Sequence, residues 1–358
     1  MLHKKIVVPA VFLLALVTAT VAQNPADSML AYFNQHREDA AIIYIKNDTL
    51  LINRNGKKLY PTAGMSNLLV AFEFAKQSAY KVIDTAEWVP LKELARYHLP
   101  GNQNDEYINW LRLMMARNKA GEGRVKLLEV ARGMLQFGSA ALAEYLMDRL
   151  GFDNIKSNIQ SLGLEGHTSI VPPSSSLSLF QNRAKTNKKK IKKAIDNMDE
   201  EEYCKSAFLM HLAMKNDSLF KNKFGTLNAD KEFIKMWSDR LPQSAAMPYA
   251  QLLQMILKEK TFDKPIFQHL RPLLEWPMQY ATVSQMFNRF SMTGSATPYV
   301  FTQAQYAVNK KNESIIVVYI CNNLKEGEFQ ALARWHQQFE QHLFTQPGFA
   351  EQAAKALK

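Results

Sequence analysis

The chain carries strand patterns at its two ends and helical patterns almost everywhere between, and that order restricts the folds open to it. Ala40-Ala-Ile-Ile-Tyr-Ile-Lys46 is β-branched and apolar. Thr49-Leu-Leu-Ile-Asn53 follows an Asn-Asp turn, and Asn55-Gly56 is a second turn signal, so the segment reads as antiparallel strands. From Ser66 the spacing becomes helical, with Leu69, Phe72, Ala75 and Ala79 on one face. Helical patterns run on towards residue 275, including 104–118, 124–136, 139–150 and 153–161. Strand patterns return at Thr297–Val308 and Ser314–Cys321, and an amphipathic helix over 326–345 follows. The prediction is an α/β (α+β) fold in which the terminal strands share one antiparallel sheet. Residues 23–62 and 276–358 would form a discontinuous α/β lobe, and 63–275 a mainly helical lobe. Ligand sites favour the cleft between two such lobes. No internal repeat is present.

Composition narrows the class. Of 358 residues 47% are hydrophobic, which excludes a disordered or low-complexity chain. Two cysteines exclude a disulfide-stapled scaffold and a multi-cysteine zinc module. His3, Lys4 and Lys5, the apolar run Ile6–Val17 and the small-x-small site Thr20-Val21-Ala22 read as an export signal cleaved near Ala22. The product is expected to be periplasmic or extracellular. No cysteine near the cleavage point suggests a lipid anchor, and no later run of 18 apolar residues suggests a stable membrane span. Cys204 and Cys321 lie in unrelated elements and are expected to be buried free thiols.

The net charge is +11, from 44 basic and 33 acidic residues. Part of the excess lies in 185–193, where Lys185, Lys188, Lys189, Lys190, Lys192 and Lys193 precede Asp196, Asp199 and Glu200 to Glu202. A polyanion-binding patch is one reading. The absence of interleaved aromatic residues for base stacking favours a solvated helix face, and no nucleic-acid partner is expected.

Three short passages carry chemistry-bearing positions. The first is Tyr60-Pro-Thr-Ala-Gly-Met-Ser-Asn-Leu-Leu-Val-Ala-Phe-Glu-Phe-Ala-Lys76. The second is Phe137-Gly-Ser-Ala-Ala-Leu-Ala-Glu-Tyr-Leu-Met-Asp-Arg-Leu-Gly151, and the third Phe290-Ser-Met-Thr-Gly-Ser295. In order and context they resemble the three motifs of class A β-lactamases and penicillin-binding transpeptidases. Those are Ser-x-x-Lys at a helix start, Ser-Asp-Asn in a loop before a helix, and Lys-Thr-Gly on the strand flanking the cleft. Glu87-Trp-Val-Pro-Leu-Lys-Glu-Leu-Ala-Arg-Tyr-His-Leu-Pro100 also resembles sequences that follow the nucleophile helix in some members. The likeness covers most of 30–165 and 285–345, and leaves about 170–280 unaligned.

Carried over position by position, the resemblance implies a degenerate site. Gly64 stands at the nucleophile serine and Asn67 at the lysine that would take its proton. Gly138, Ser139 and Ala140 replace Ser-Asp-Asn, and Met292 stands at the substrate-binding lysine. Thr293, Gly294 and Ser295 remain as a possible binding wall, with Ser66 and Ser139 as the other hydroxyls. Glu165 and His167 are the candidates nearest a deacylating carboxylate and read as exposed loop residues. His336 and Glu340, four apart on the last helix, read as an exposed pair, with no metal site. Met114, Met115 and Met134 are expected in the core. No cofactor is implied. The leading expectation is a non-catalytic cell-envelope binding or scaffold protein taking a wall peptide or glycan in the interlobe cleft. The alternatives are an active serine hydrolase built on Ser66 or Ser139, and a polyanion-binding surface protein. Oligomeric state is open.

Overall fold

The structure, a computed structural model, describes residues 24–99, 105–180, 187–217, 219–220 and 230–358. The export signal over 1–22 and Lys185 lie outside them. Helix α1 (Pro25–Gln35) leads into the hairpin β1 (Ala40–Lys46) and β2 (Thr49–Arg54). Strand β3 (Tyr60–Pro61) and a 3-10 turn (Ala63–Ser66) precede helix α2 (Asn67–Ala79). Next come β4 (Trp88–Pro90), α3 (Leu91–Leu94), α4 (Glu106–Ala116), β5 (Ala120–Gly121) and β6 (Arg124–Lys126). Helices α5 (Leu127–Phe137), α6 (Ala140–Leu150), α7 (Phe152–Ser161) and α8 (Pro173–Ser178) follow. They are succeeded by α9 (Lys188–Asp196), α10 (Glu200–Asn216), α11 (Lys231–Asp239) and the short strand β7 (Gln243–Ser244). Helices α12 (Ala246–Lys258), α13 (Lys264–Leu274) and α14 (Ala281–Met286) return the chain to the sheet. There β8 (Phe287–Thr297), β9 (Val300–Asn309) and β10 (Ser314–Cys321) are followed by α15 (Glu328–Thr345) and α16 (Phe349–Ala356).

The two ends of the chain share one antiparallel sheet of order β2-β1-β10-β9-β8, as the strand order predicts. β1 pairs with β10 from Ala40 opposite Cys321 to Lys46 opposite Ile315. Both strands are covered on both faces, which is why they read as continuous apolar runs rather than alternating ones. Ala41, Ile43 and Ile45 join the core formed with α2, α5, α6, α12 and α13. Ala40, Ile42 and Tyr44 face a second core, closed by α1, α15 and α16. Each buried isoleucine contributes about 1.5–3 kcal/mol relative to an exposed one. β8 begins ten residues before the strand expected at Thr297. It sits on the open edge of the sheet, so its sequence alternates and includes Asn288, Arg289, Ser291 and Thr293, and an apolar-run criterion passes over it.

Other side chains depart from expectation. Met114 and Met134 are buried, but Met115 lies on the outer face of α4, 55% exposed. Glu340 is buried rather than exposed, because α15 lies on the sheet and the Tyr319 hydroxyl donates to its Oε1 at 2.5 Å; His336 Nδ1 lies 3.3 Å from the same oxygen. Cys204 and Cys321 are both free, and Cys204 is only half-buried, on α10. Lys188 bridges to Asp230 at 2.7 Å and Glu232 at 3.0 Å, and Lys192 to Glu232 at 2.5 Å, so two of the clustered lysines tie α9 to the start of α11. Among the described residues no helix is long and apolar enough to cross a membrane.

Helix α6 is anchored from behind by charge. His211 of α10 is fully buried, with Nδ1 2.9 Å from Glu144 Oε1 and Nε2 3.2 Å from Asp148 Oδ1. Glu144 accepts from the Ser175 backbone N–H at 2.9 Å and from the Ser175 hydroxyl, which holds α8 against α6. Burial alone pulls the His211 pKa down, but hydrogen bonds and charge from Asp148 and Glu144 outweigh it and lift it to about 9. A folded-state pKa above the ordinary 6.5 means that the contribution is full below pH 6.5 and is lost as pH rises towards 9. Urea melts should therefore show a stability loss across pH 6.5 to 9 that His211→Gln removes. His211→Ala should cost about 3 kcal/mol at neutral pH, because the buried Glu144 loses its cation and keeps only Ser175 among the described residues, while Asp148 retains Lys215 at 2.8 Å. A pH-independent stability over that window would refute the assignment.

Candidate functional site

The 3-10 turn at 63–66 is held by a strained backbone and by the chain opposite. Ala63 has φ 44°, a left-handed value that alanine rarely adopts. Thr62 donates to the Pro242 carbonyl from both its N–H and its hydroxyl, each at 2.8 Å. The turn presents Gly64 to β8, where the Gly64 N–H donates to Ser295 Oγ at 3.0 Å. A Cβ added to Gly64 would stand 2.6 Å from Ser295 Cβ and 2.7 Å from Ser295 Oγ. Gly138 caps the C-terminus of α5 with φ 64°, and a Cβ there would also stand 2.6 Å from Ser295 Cβ. Such separations are not populated by real carbon atoms, so Ser295 fills the space that side chains at 64 and 138 would use. The first two motif positions thus meet, as the sequence order implies, but they meet closed.

The neighbours of this contact are small and neutral. Asn67 is buried, its Nδ2 3.4 Å from where a Gly64 Cβ would be. The Ser66 hydroxyl donates back to the Ala63 carbonyl at 2.9 Å. Ser139 is the N-cap residue of α6 without a side-chain capping bond, and Ala140 begins that helix.

The third passage is corrected by the pleat of β8. Phe290 is opposite Ala307, Met292 opposite Gln305 and Ala296 opposite Phe301. Phe301 and Ala307 belong to the core under α1, α15 and α16, and Phe290 and Ala296 pack against it. Side chains alternate along a strand, so Met292 and Gly294 face the terminal helices, away from the cleft. A lysine at 292 would point out of the site. Thr293 faces the other way, but among the described residues its Oγ1 is buried without a partner and it does not line the cleft. Gly294 is glycine because the Thr302 carbonyl would lie 2.2 Å from a Cβ. The strand segment that does line the cleft is Ser295, Ala296, Thr297 and Pro298. Of these, Thr297 spends its Oγ1 accepting from the Tyr299 and Val300 N–H groups, each at 3.1 Å.

The cleft is a cavity of about 240 Å³. Its walls are largely apolar, with Tyr97, Leu99, Met147, Leu177, Ile234 and Trp237 among them. Ser66, Asn67, Ser139, Ser174 and Ser295 supply amide and hydroxyl groups. Besides the phenols of Tyr97 and Tyr107, its ionisable members are His98, Asp105 and Glu106 among the described residues, and no lysine or arginine lines it there. Asp105 caps α4 through Ile108 N–H at 3.0 Å and contacts His98 Nε2 at 2.5 Å, while the His98 ring stacks on Tyr107 at 4.7 Å. Burial raises the Glu106 pKa, its own backbone N–H lowers it, and the Asp105 charge raises it, for a net increase. None of the three belongs to the three motif passages; His98 lies within 87–100, and Asp105 and Glu106 stand at the start of α4 as its N-cap and first residue.

Neither loop residue offered for deacylation reaches the cleft. Glu165 is exposed, and His167 is tied down by the Thr168 carbonyl at 2.7 Å and Tyr249 hydroxyl at 3.0 Å. Ser174, without a carboxylate, occupies that wall. A larger cavity of about 490 Å³ lies between α4, α5 and α13. There Lys119 and Arg132 pair with Glu129 and Arg271 with Glu275, Arg117 donates to the Gln279 side-chain oxygen at 2.7 Å, and no motif position lines it. The smaller cleft is therefore the candidate site.

No protein-family model and no curated protein matches the chain. Solved structures do. A β-lactamase from Sphaerobacter thermophilus is 12% identical, aligns over 90% of this chain and 98% of its own, and superposes with a TM-score of 0.54. A class A β-lactamase representative from Bacteroides cellulosilyticus is 11% identical over 90% of this chain and 98% of its own, at 0.51. The extended-spectrum β-lactamase TLA-3 is 11% identical over 93% and 96%, at 0.50. The chain has the β-lactamase-like fold.

The packing at Ser295 generates a double-mutant prediction. Gly64→Ala should destabilise the protein by about 1–3 kcal/mol in urea melts, the usual cost of overpacking. Ser295→Gly in the same chain should recover part of that loss, with a coupling of about 0.5–3 kcal/mol. A neutral Gly64→Ala, or additive effects, would show that the contact is not formed.

Proposed function

We propose that this chain is an exported, non-catalytic ligand-binding protein on a β-lactamase-like frame. The observation that carries the reading is the closure of Gly64 and Gly138 on Ser295. Acyl transfer on this frame needs a nucleophilic oxygen at the start of α2, a base beside it and N–H groups free to hold the oxyanion. Position 64 offers no oxygen and no space for one. Asn67 has no basicity near neutral pH. The Gly64 N–H, which would face a developing oxyanion, is already engaged by Ser295 Oγ. The hydrolytic chemistry in the names of the structural neighbours is therefore not carried over.

Binding remains open to such a cleft. It retains about 240 Å³, serine and asparagine groups for orientation, and β8 as an open sheet edge beside it. An extended wall peptide could add to that edge, and a glycan could use the hydroxyls. The pattern of residues 1–22 supports delivery to the cell envelope.

One observation favours the hydrolase alternative: His98, paired with Asp105, lines the same cavity as Ser66, Ser139, Ser174 and Ser295. Against it, no serine hydroxyl hydrogen-bonds to His98 among the described residues, and Nε2 is taken by Asp105. Both readings meet in one assay. The purified protein, incubated with benzylpenicillin and separately with a fluorophosphonate, should keep its unmodified intact mass. A stoichiometric adduct mapped to any of these four serines would replace the binding-protein reading with the hydrolase one.

A further inference from the structure

We propose that the cleft receives an organic cation, an ammonium group carried on an apolar body, with the Glu106 carboxylate as its counter-ion. This rests on the reading of the cleft as a binding site and names the class of ligand it would take.

The argument starts from a contrast of charge. The whole chain is strongly basic, at +11, yet the cavity wall holds two carboxylates and, among the described residues, no lysine or arginine. The positions that could have supplied cations are neutral or turned away, Asn67 on α2 and Met292 on the far face of β8. A carboxylate ligand entering here meets like charge without compensation. A cation meets the opposite.

The two carboxylates are not equivalent. Asp105 is spent, one oxygen on the Ile108 N–H at 3.0 Å and the other on His98 at 2.5 Å. Glu106 has no side-chain partner among the described residues; its own backbone N–H is the group that favours its charge. Glu106 opens α4, whose N-terminal N–H groups favour its charge, but no lysine or arginine shares the cavity with it among the described residues, and a bound ammonium would supply the missing cation. The rest of the wall suits the body of such a ligand. Tyr97, Tyr107 and Trp237 bring aromatic surface, which favours a neighbouring cation over an anion, and Leu99, Met147 and Leu177 bring aliphatic surface. At about 240 Å³ the space fits a single ring with a short chain.

The test uses three probes of one shape, 3-phenylpropylammonium, 3-phenylpropanol and 3-phenylpropanoate, titrated calorimetrically into the mature chain at pH 7. The ammonium should bind about tenfold more tightly than the alcohol, and the carboxylate more weakly than either. Glu106→Gln should bring the ammonium to the affinity of the alcohol and leave the alcohol unchanged. Equal binding of ammonium and alcohol by the native protein overturns the charge assignment while leaving the binding cleft in place, as does an ammonium preference that survives Glu106→Gln. Tighter binding of the carboxylate overturns it outright. Failure of all three probes to bind overturns this inference together with the binding reading beneath it.

Discussion

The site is organised around one non-bonded contact, the Ser295 side chain wedged between two glycines that come from separate elements. Gly64 opens the central helix and Gly138 closes another, and neither can carry a Cβ while Ser295 keeps its place on the edge strand. Interiors are packed too closely to absorb an overlap of that size, so the three residues act as one unit. Replacing any one of them with a larger residue moves a strand, a helix start or a helix end. The contact also consumes the Gly64 N–H. Space and hydrogen bonding are thus both committed at the point where acyl-transfer chemistry on this frame would begin.

Around that point the scaffold is held rather than loosened. Helix α2 is buried on nearly every side, and its Glu73 is satisfied by Gln77 and Asn158 amides at 2.9 Å each. α6 is fixed from behind by the buried His211 between Glu144 and Asp148, and the same Glu144 holds α8, which places Ser174 in the wall. The cavity that results differs in character from one built for anions: apolar walls, neutral hydroxyls and a carboxylate awaiting a partner. Function then lives in the site and not in the fold.

How much of this was legible in the sequence depends on whether a local rule applied. The sheet was legible because β1 and β10 are buried on both faces and leave unbroken apolar runs. The clustering of Gly64, Asn67, Gly138 and Ser139 was legible because their local contexts, a turn into a helix and a cap before a helix, are short-range. The third passage misled because its register on β8 is set by pairing with β9, and a strand's faces exchange with every residue. Ser295, three residues beyond Met292, is the residue of that passage that meets Gly64 and Gly138. The burial of Glu340 was invisible for a similar reason, since the sheet that covers it is a tertiary event. His98 precedes α4 while Asp105 and Glu106 open it, and a helix start read from local pattern does not say which cavity it will face.

The Ser295 side chain fills the space beside Gly64 and takes its N–H. Amide hydrogen exchange at Gly64 tests this most directly, in the native chain and in Ser295→Ala. The Gly64 amide should be protected, and its exchange should accelerate selectively when the hydroxyl is removed, while amides within α2 keep their protection. A Gly64 amide that exchanges freely in the native chain, or that is indifferent to Ser295→Ala, would contradict it.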